Sequence, residues 1–445
     1  MEHALNLAWV LVAGFLVMFM QAGFAMVETG FTRAKNAVNT MAMNFVVYPL
    51  GVLGFWLVGY GLMMGGTRDW PSLAFATHAL PAAREIGVTL GGHSFGLFGA
   101  SRFALISVPN HAGSLAVFLF AAVFMDTAAT IPTGAMAERW KFSSFLIYGP
   151  FMSMLLYPLY GNWVWGGGWL STLGLNFGIG HGHVDFAGST VVHMTGGITA
   201  LAGTLALGPR IGKFRSDGTI AALPGHNLPM AVIGTFILGF GWFGFNAGST
   251  LGAADPRIAV VAVNTMLASS SGCAAALLYV WYRMRKPDLG MACNGFLGGL
   301  VAITAPCAFV SPPAAVLIGV VAGLLVVKSV MLLERRFRVD DPVGAISVHG
   351  LCGAWGGLAL GLFADGSYGA GWNGVAGPVR GLLFGDPGQL AAQTIGVVAN
   401  AVFVFGASYG FFKLTDRLVG NRVSSEVEWS GLDSMEMGSE AYPPG

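Results

Sequence analysis

A helix needs about 20 apolar residues to cross the hydrocarbon core of a bilayer, and this chain supplies eleven such runs. They lie near residues 5–27, 41–64, 112–135, 143–163, 186–207, 228–249, 258–281, 291–310, 313–333, 342–363 and 389–414. A water-soluble core has no place for so many. Charged residues make up only 10% of the 445, against about a quarter in an ordinary soluble domain, and the mean hydropathy is +0.68. The 67 glycines suit helices whose backbones approach closely in lipid. A net charge of +1 gives no nucleic-acid footprint. The expected fold is therefore an all-α polytopic membrane protein embedded in the lipid bilayer. It divides into a transmembrane domain, 1–414, and a polar C-terminal tail, 415–445. The weakest division between spans falls at Pro306, Pro312 and Pro313, where the loop is very short.

Lys and Arg set the orientation, because positively charged loops stay cytoplasmic. With these spans, sixteen of the 22 basic residues fall on one side, from Arg33 and Lys35 to Lys413, Arg417 and Arg422. Five fall on the other (Arg68, Arg84, Arg102, Arg257 and Arg380), and Lys328 lies within a span. The N-terminus is then outside and the tail cytoplasmic, in a plasma (inner) membrane. Acidic Glu2 and His3 replace the basic start of a secretory signal, so the first run is expected to remain in the protein.

Two apolar runs open on the same pattern. "DFAGSTVVHMTGG" (185–197) and "DPVGAISVHGLCG" (341–353) share Asp, Gly at the fourth place, Val-His, and Gly four after the His. They start spans five and ten. Five spans per half is an odd number, so the halves, about 5–207 and 228–363, must be inverted relative to one another, with 389–414 as a final helix. Such inverted repeats place functional sites near midplane. His193 and His349 each lie eight residues into their run, roughly 12 Å deep from opposite faces, so both reach the middle of a core about 30 Å thick. Intramembrane ionisable groups tend to pair and to mark pathways. Asp185 and Asp341 start their helices and read as N-caps; Asp185 would also favour a cation nearby.

Other candidates read as structural. Cys273, Cys293, Cys307 and Cys352 have no metal-ligand spacing, and His78, His93 and His111 belong to an outside loop, 65–111, without tight spacing. No metal, no cofactor and no enzymatic motif such as HExxH is expected. In the tail, Ser430 reads as an N-cap with Asp433 three residues on, an approximate capping box. Glu426, Glu428, Asp433, Glu436 and Glu440 would meet basic residues of the cytoplasmic side.

The chain resembles the ammonium transporters of the Amt/Mep/Rh superfamily, Amt branch, over nearly its whole length. The likeness rests on "DFAGSTVVHMTGG", "HNLPMAVIGTFILGFGWFGFNAGS" (226–249), "GAMAERWKFSS" (134–144), "VWGGGWL" (164–170) and "DDPVGAISVHGLCGAWGG" (340–357). The resemblance implies eleven helices per protomer, a homotrimer, and one pore per protomer carrying ammonium or ammonia. It implies substrate recruitment at Trp165, Ser249 and Asp185, a phenyl gate of Phe124 and Phe245, and pore twin histidines His193 and His349. It further implies that "SGLDSMEMGSEAY" docks on the cytoplasmic face, where a PII-type regulator binds. Asp126 departs from the family's small residue; two positions after Phe124, it turns about 200° away from the gate and is expected to face another helix or protomer. An alternative reading of the same features is an ammonium sensor signalling through a separate partner, although no output domain follows the spans.

Overall fold

The computed structural model describes residues 1–67, 71–73, 83–108 and 110–442; His78 and Arg68 lie outside them. Ten helices among the described residues are long and apolar enough to span a membrane. These are α1 (Glu2–Phe31), α2 (Ala34–Met64), α3 (Ala112–Met136), α4 (Phe142–Trp165), α5 (Ser189–Leu207), α6 (Leu228–Gly248), α7 (Arg257–Met284), α9 (Pro312–Phe337), α10 (Ile346–Phe363) and α11 (Pro387–Leu418). The run expected over 291–310 is helical only as α8 (Leu289–Thr304), 16 residues long. Pro306 has no N–H to continue the ladder, and the carbonyls of Thr304 and Ala305 accept instead from Ala187 N and Phe186 N.

The most deeply buried spans are α3, α5 and α10. Around them α1 packs along α6, and α7, α8 and α9 form a tight group. Large apolar side chains such as Phe15, Phe45, Phe236, Phe240 and Val402 are exposed. In water that would be a severe liability; against lipid tails it is the required surface.

Between α2 and α3 the all-α expectation is corrected. Strands β1 (Glu85–Leu90) and β2 (His93–Gly99) pair antiparallel. Gly91 and Gly92, at φ 59 and 84, make the two-residue turn that only residues tolerant of positive φ allow. The hairpin is tied down where Trp163 Nε1 donates to Leu97 O (3.0 Å) and Trp169 N to Gly96 O (2.9 Å). Glu85 tucks beneath it and accepts from Asn162 Nδ2 at 3.3 Å.

The face opposite the hairpin is knitted by charge. Glu138 bridges Arg33 and Arg210, and Arg210 also binds Asp340. Burial opposes ionisation of Asp340, but hydrogen bonds and charge from Arg210, with Arg139 beside it, hold its carboxyl below the ordinary range. The tail is ordered against this face. Ser424, not Ser430, is the N-cap of α12 (Ser425–Ser430), its hydroxyl accepting from Val427 N; Ser430 ends that helix. Asp433 instead caps the start of α2, accepting from Val38 N and Asn39 N at 2.9 Å each. Glu436 accepts from Phe142 N, the first residue of α4. Among the described residues neither acid pairs with a Lys or Arg, whereas Glu428 pairs with Arg422 and accepts from Ile211 N.

Burial raises the Glu85 carboxyl to about 7, against the Asn162 hydrogen bond that lowers it. With its folded-state pKa raised, the stability gained by burying Glu85 in its protonated form is full below the unfolded value and is lost as pH rises through about 7. Amide exchange in the hairpin, corrected for intrinsic rate, should therefore lose protection between pH 5 and 8. Glu85→Gln should flatten that dependence; a pH-independent wild-type hairpin would contradict the burial argument.

Candidate functional site

The two Asp-to-His segments fold alike. Asp185 Oδ1 accepts from Gly188 N (2.8 Å) and Ser189 N (3.0 Å), and Oδ2 from Thr190 N (2.7 Å), Val191 N (3.0 Å) and Thr190 Oγ1 (2.6 Å). Asp341 accepts from Gly344 N (2.9 Å) and Ile346 N (2.8 Å). Gly188 and Gly344 take the left-handed backbone, φ 115 and 81, that turns the chain from cap to helix. Each span then opens with a π-helical turn holding the histidine, Ser189–Met194 and Ile346–Leu351. Such turns widen the helix locally and recur at functional sites.

Glycine lets the two turns meet. A Cβ on Gly197 would sit 2.1 Å from Gly350 N, so α5 and α10 cross almost backbone to backbone. This brings His193 Nδ1 within 3.2 Å of His349 Nδ1. One ring must donate and the other accept, so the pair holds one tautomer of each kind. The His193 ring stacks on Trp242 (4.8 Å, 17°) and lies 5.3 Å from Phe245. Its Nε2 is buried without a hydrogen-bond partner among the described residues.

On the hairpin side, Phe124 and Phe245 stack at 3.9 Å and 14°. Beyond them is a cavity of about 260 Å³ lined by Phe124, Trp165, Ser249, Phe120, Phe186 and Trp372, among others. The Trp165 ring stands edge-on to Phe124 at 6.2 Å, fixed by its Nε1 donating to Asp185 O at 2.7 Å. Ser249 Oγ donates to Phe245 O at 2.8 Å, leaving its lone pairs as acceptors. Past the histidines, Phe24 lies 5.9 Å from His349, and a second cavity of about 20 Å³ is lined by Glu28, Asn294 and His349 among others. The elements form one column, from aromatic cavity through stacked phenyls to paired imidazoles.

Asp185 is placed by its side chain as the cap of α5 rather than in the cavity wall; it reaches that wall only by holding Trp165. Asp126 is buried and not among the cavity's lining, and its Oδ1 has no hydrogen-bond partner among the described residues. The four cysteines are unpaired. His93 packs on Phe177, and His111 caps α3 by accepting from Ser114 N. Among the described residues no His/Cys/Asp/Glu group is arranged to hold a metal.

Sequence reasoning missed several members. Trp242 precedes Phe245 by three and Phe120 precedes Phe124 by four, spacings that share a helix face. His183 hydrogen-bonds Thr190 Oγ1 (2.9 Å), which itself donates to Asp185, so a second histidine stands behind the cap. Trp372 enters from the loop before α11 and gives no local signal.

Bundle and column define a polytopic membrane protein with polar and aromatic groups threaded through its packed centre. The chain belongs to the Ammonium Transporter Family, which it matches over residues 8–442. It is 47% identical over 444 residues to the ammonium transporter Amt2 of Archaeoglobus fulgidus, covering 99% of this chain and 89% of that one. To ammonium transporter 1 member 3 of Solanum lycopersicum it is 34% identical, over 99% and 93%. Among solved structures it is similar to a Sensor Amt Protein (TM-score 0.83, 35% identity, 98% of both chains). It is also similar to Mep2 of Candida albicans (TM-score 0.79, 25% identity, 95% and 87%).

Removing the cap should be costly, because it strands four amides in an apolar interior. Asp185→Ala is expected to destabilise the protein by more than about 3 kcal/mol, read as a lowered unfolding midpoint in detergent. Asp185→Asn, which keeps one oxygen acceptor, should lose less. A wild-type midpoint for Asp185→Ala would show that the cap is dispensable.

Proposed function

We propose that this chain is an electrogenic ammonium transporter that separates its substrate into ammonia and a proton. The reading takes eleven spans per protomer, counting short α8, in two inverted five-helix repeats and a final helix. It sets the hairpin side outside, the tail in the cytoplasm, and the protein as a homotrimer in the plasma (inner) membrane. The matching Asp-cap, glycine and π-turn of α5 and α10 support the repeat, and the basic residues of the tail side support the orientation.

The observation that carries the function is the column itself. Ammonium and potassium are close in size, so radius separates them poorly. Ammonium donates hydrogen bonds and can lose a proton; potassium can do neither. In the outer cavity the Trp165 face attracts a cation by about 0.5–2 kcal/mol, and the Ser249 lone pairs accept an N–H. The capped Asp185 carboxylate adds negative potential behind Trp165. The stacked rings of Phe124 and Phe245 then oppose any intact cation, since stripping its water is expensive. Ammonia passes them; its proton takes the histidines. With His193 Nδ1–H donating to His349 Nδ1, a proton arriving at His193 Nε2 pushes the Nδ1 proton across. His349 then releases its own Nε2 proton to the far side. Charge moves without a bare cation crossing the lumen.

A sensing role would use the same outer cavity. The column beyond it is superfluous to recognition, and this favours conduction. The tail, held by Asp433, Glu436 and Glu428, is a coupling element on the cytoplasmic face, where a PII-type regulator would bind.

Replacing His193 or His349 by alanine should abolish proton-coupled current or admit potassium. Trp165→Leu and Ser249→Ala should instead shift uptake to higher ammonium concentration, each by about 1 kcal/mol. Current and potassium exclusion unchanged in both His variants would sink the relay, whereas unchanged concentration dependence would remove Trp165 and Ser249 from recognition. Truncation after Gly420 is expected to lower uptake while the solubilised mass stays that of a trimer. Full uptake would make the tail dispensable, and a monomer would show that it builds the oligomer.

A further inference from the structure

The two side-chain donors that hold Glu28 in the fold ask only for an oxygen acceptor, not for a charge. Glu28 lies near the end of α1, 3% exposed, and its Oε2 accepts from Asn44 Nδ2 and Thr133 Oγ1 at 2.6 Å each. Thr130 Oγ1 orients Asn44 by donating to its Oδ1 (2.8 Å), and Gln21 Nε2 donates to Thr130 (2.9 Å). Donors from α2 and α3 thus fix one carboxylate oxygen. A glutamine carbonyl would satisfy them equally, and among the described residues no Lys or Arg pairs with Glu28. Burying a carboxylate without a cation is costly, so its presence calls for a use of its titratable proton.

The neighbours supply one. Glu28 and His349 line the same cavity, about 20 Å³ in volume, room for about one water. His349 spends Nδ1 on His193, which leaves Nε2 as its other ring nitrogen. The titratable groups around Glu28 are His349 of α10, Asp341 before it, and Tyr148 of α4. None is a fixed cation, so a proton added here has only acids and an imidazole to share it.

We propose that Glu28 is the proton acceptor that follows His349 on the tail side. The proposal rests on the relay reading above. The Nε2–H of imidazolium His349 passes through one water to the Glu28 carboxylate, leaving neutral imidazole and a carboxylic acid. The acid then gives its proton to cytoplasmic water, and the carboxylate returns.

The test compares Glu28→Gln, Glu28→Asp and His349→Ala with wild type, as ammonium-evoked current from proteoliposomes on solid-supported membranes. Glu28→Gln should lower the current about tenfold or more while the half-saturating ammonium concentration stays put. Glu28→Asp, shorter but titratable, should retain more current than Glu28→Gln. A hydrogen-bonding spacer predicts the reverse order, and that order, or wild-type current in Glu28→Gln, overturns the proposal. If Glu28→Gln does not assemble, Glu28→Asp decides: current above that of His349→Ala supports it, and equal current overturns it. Loss in His349→Ala with none in Glu28→Gln removes Glu28 alone. Wild-type current in His349→Ala removes the relay on which it stands.

Discussion

Backbone that leaves the helix at membrane depth must find its hydrogen bonds inside the protein, because lipid offers none. Two carboxylates meet that demand here. Asp185 gathers four amides and a hydroxyl, and Asp341 does the corresponding work at α10. The residues just after Asp185 are completed by α8, whose last carbonyls accept from Phe186 and Ala187. Ser189 Oγ adds a bridge, donating to Val301 O and accepting from Ala305 N. Each cap starts a π-turn, and the turns aim His193 and His349 at one another. The indole of Trp165 hangs on the carbonyl of Asp185. The aromatic cavity and the first imidazole are therefore tied to one residue, Asp185, through its backbone carbonyl and its carboxylate respectively.

The same economy governs where charge is tolerated. Ion pairs gather on the tail side, around Glu138, Arg210 and Asp340, while the column is built from rings, hydroxyls and imidazoles. In the proposed mechanism this is the basis of selectivity. A cation able to shed a proton crosses as a neutral molecule plus a relayed proton; one that cannot stops at the stacked phenyls.

Much of the fold was legible because lipid imposes one rule on length and composition. The apolar runs found most helix ends to within about four residues, but the second helix starts seven residues before its run and the eighth, before Pro306, ends six residues short. Asp, Gly and His in common register pointed to both π-turns, although nothing in sequence announces a π-turn as such. The β-hairpin was hidden in plain view: "LGGH" between alternating apolar residues is a two-residue turn signal, overlooked beside the long apolar runs. Trp242 and Phe120 were within reach of helical spacing. Glu28 and Trp372 were not, because their importance arises from neighbours on other elements. The tail shows why local motifs mislead. Ser430 and Asp433 have capping-box spacing, yet Asp433 caps a helix 395 positions away in sequence. A helix start lacking its own side-chain cap gives no hint of who supplies it.

The central claim is that substrate crosses as ammonia while its proton travels separately. Charge and labelled ammonium counted together, in proteoliposomes at fixed voltage, test it most directly. The account predicts one elementary charge for each nitrogen taken up, with no current when potassium replaces ammonium. Uptake without charge would mean neutral flux with the proton left behind. A potassium current through the wild-type protein would mean that intact cations cross, and either result would contradict the account.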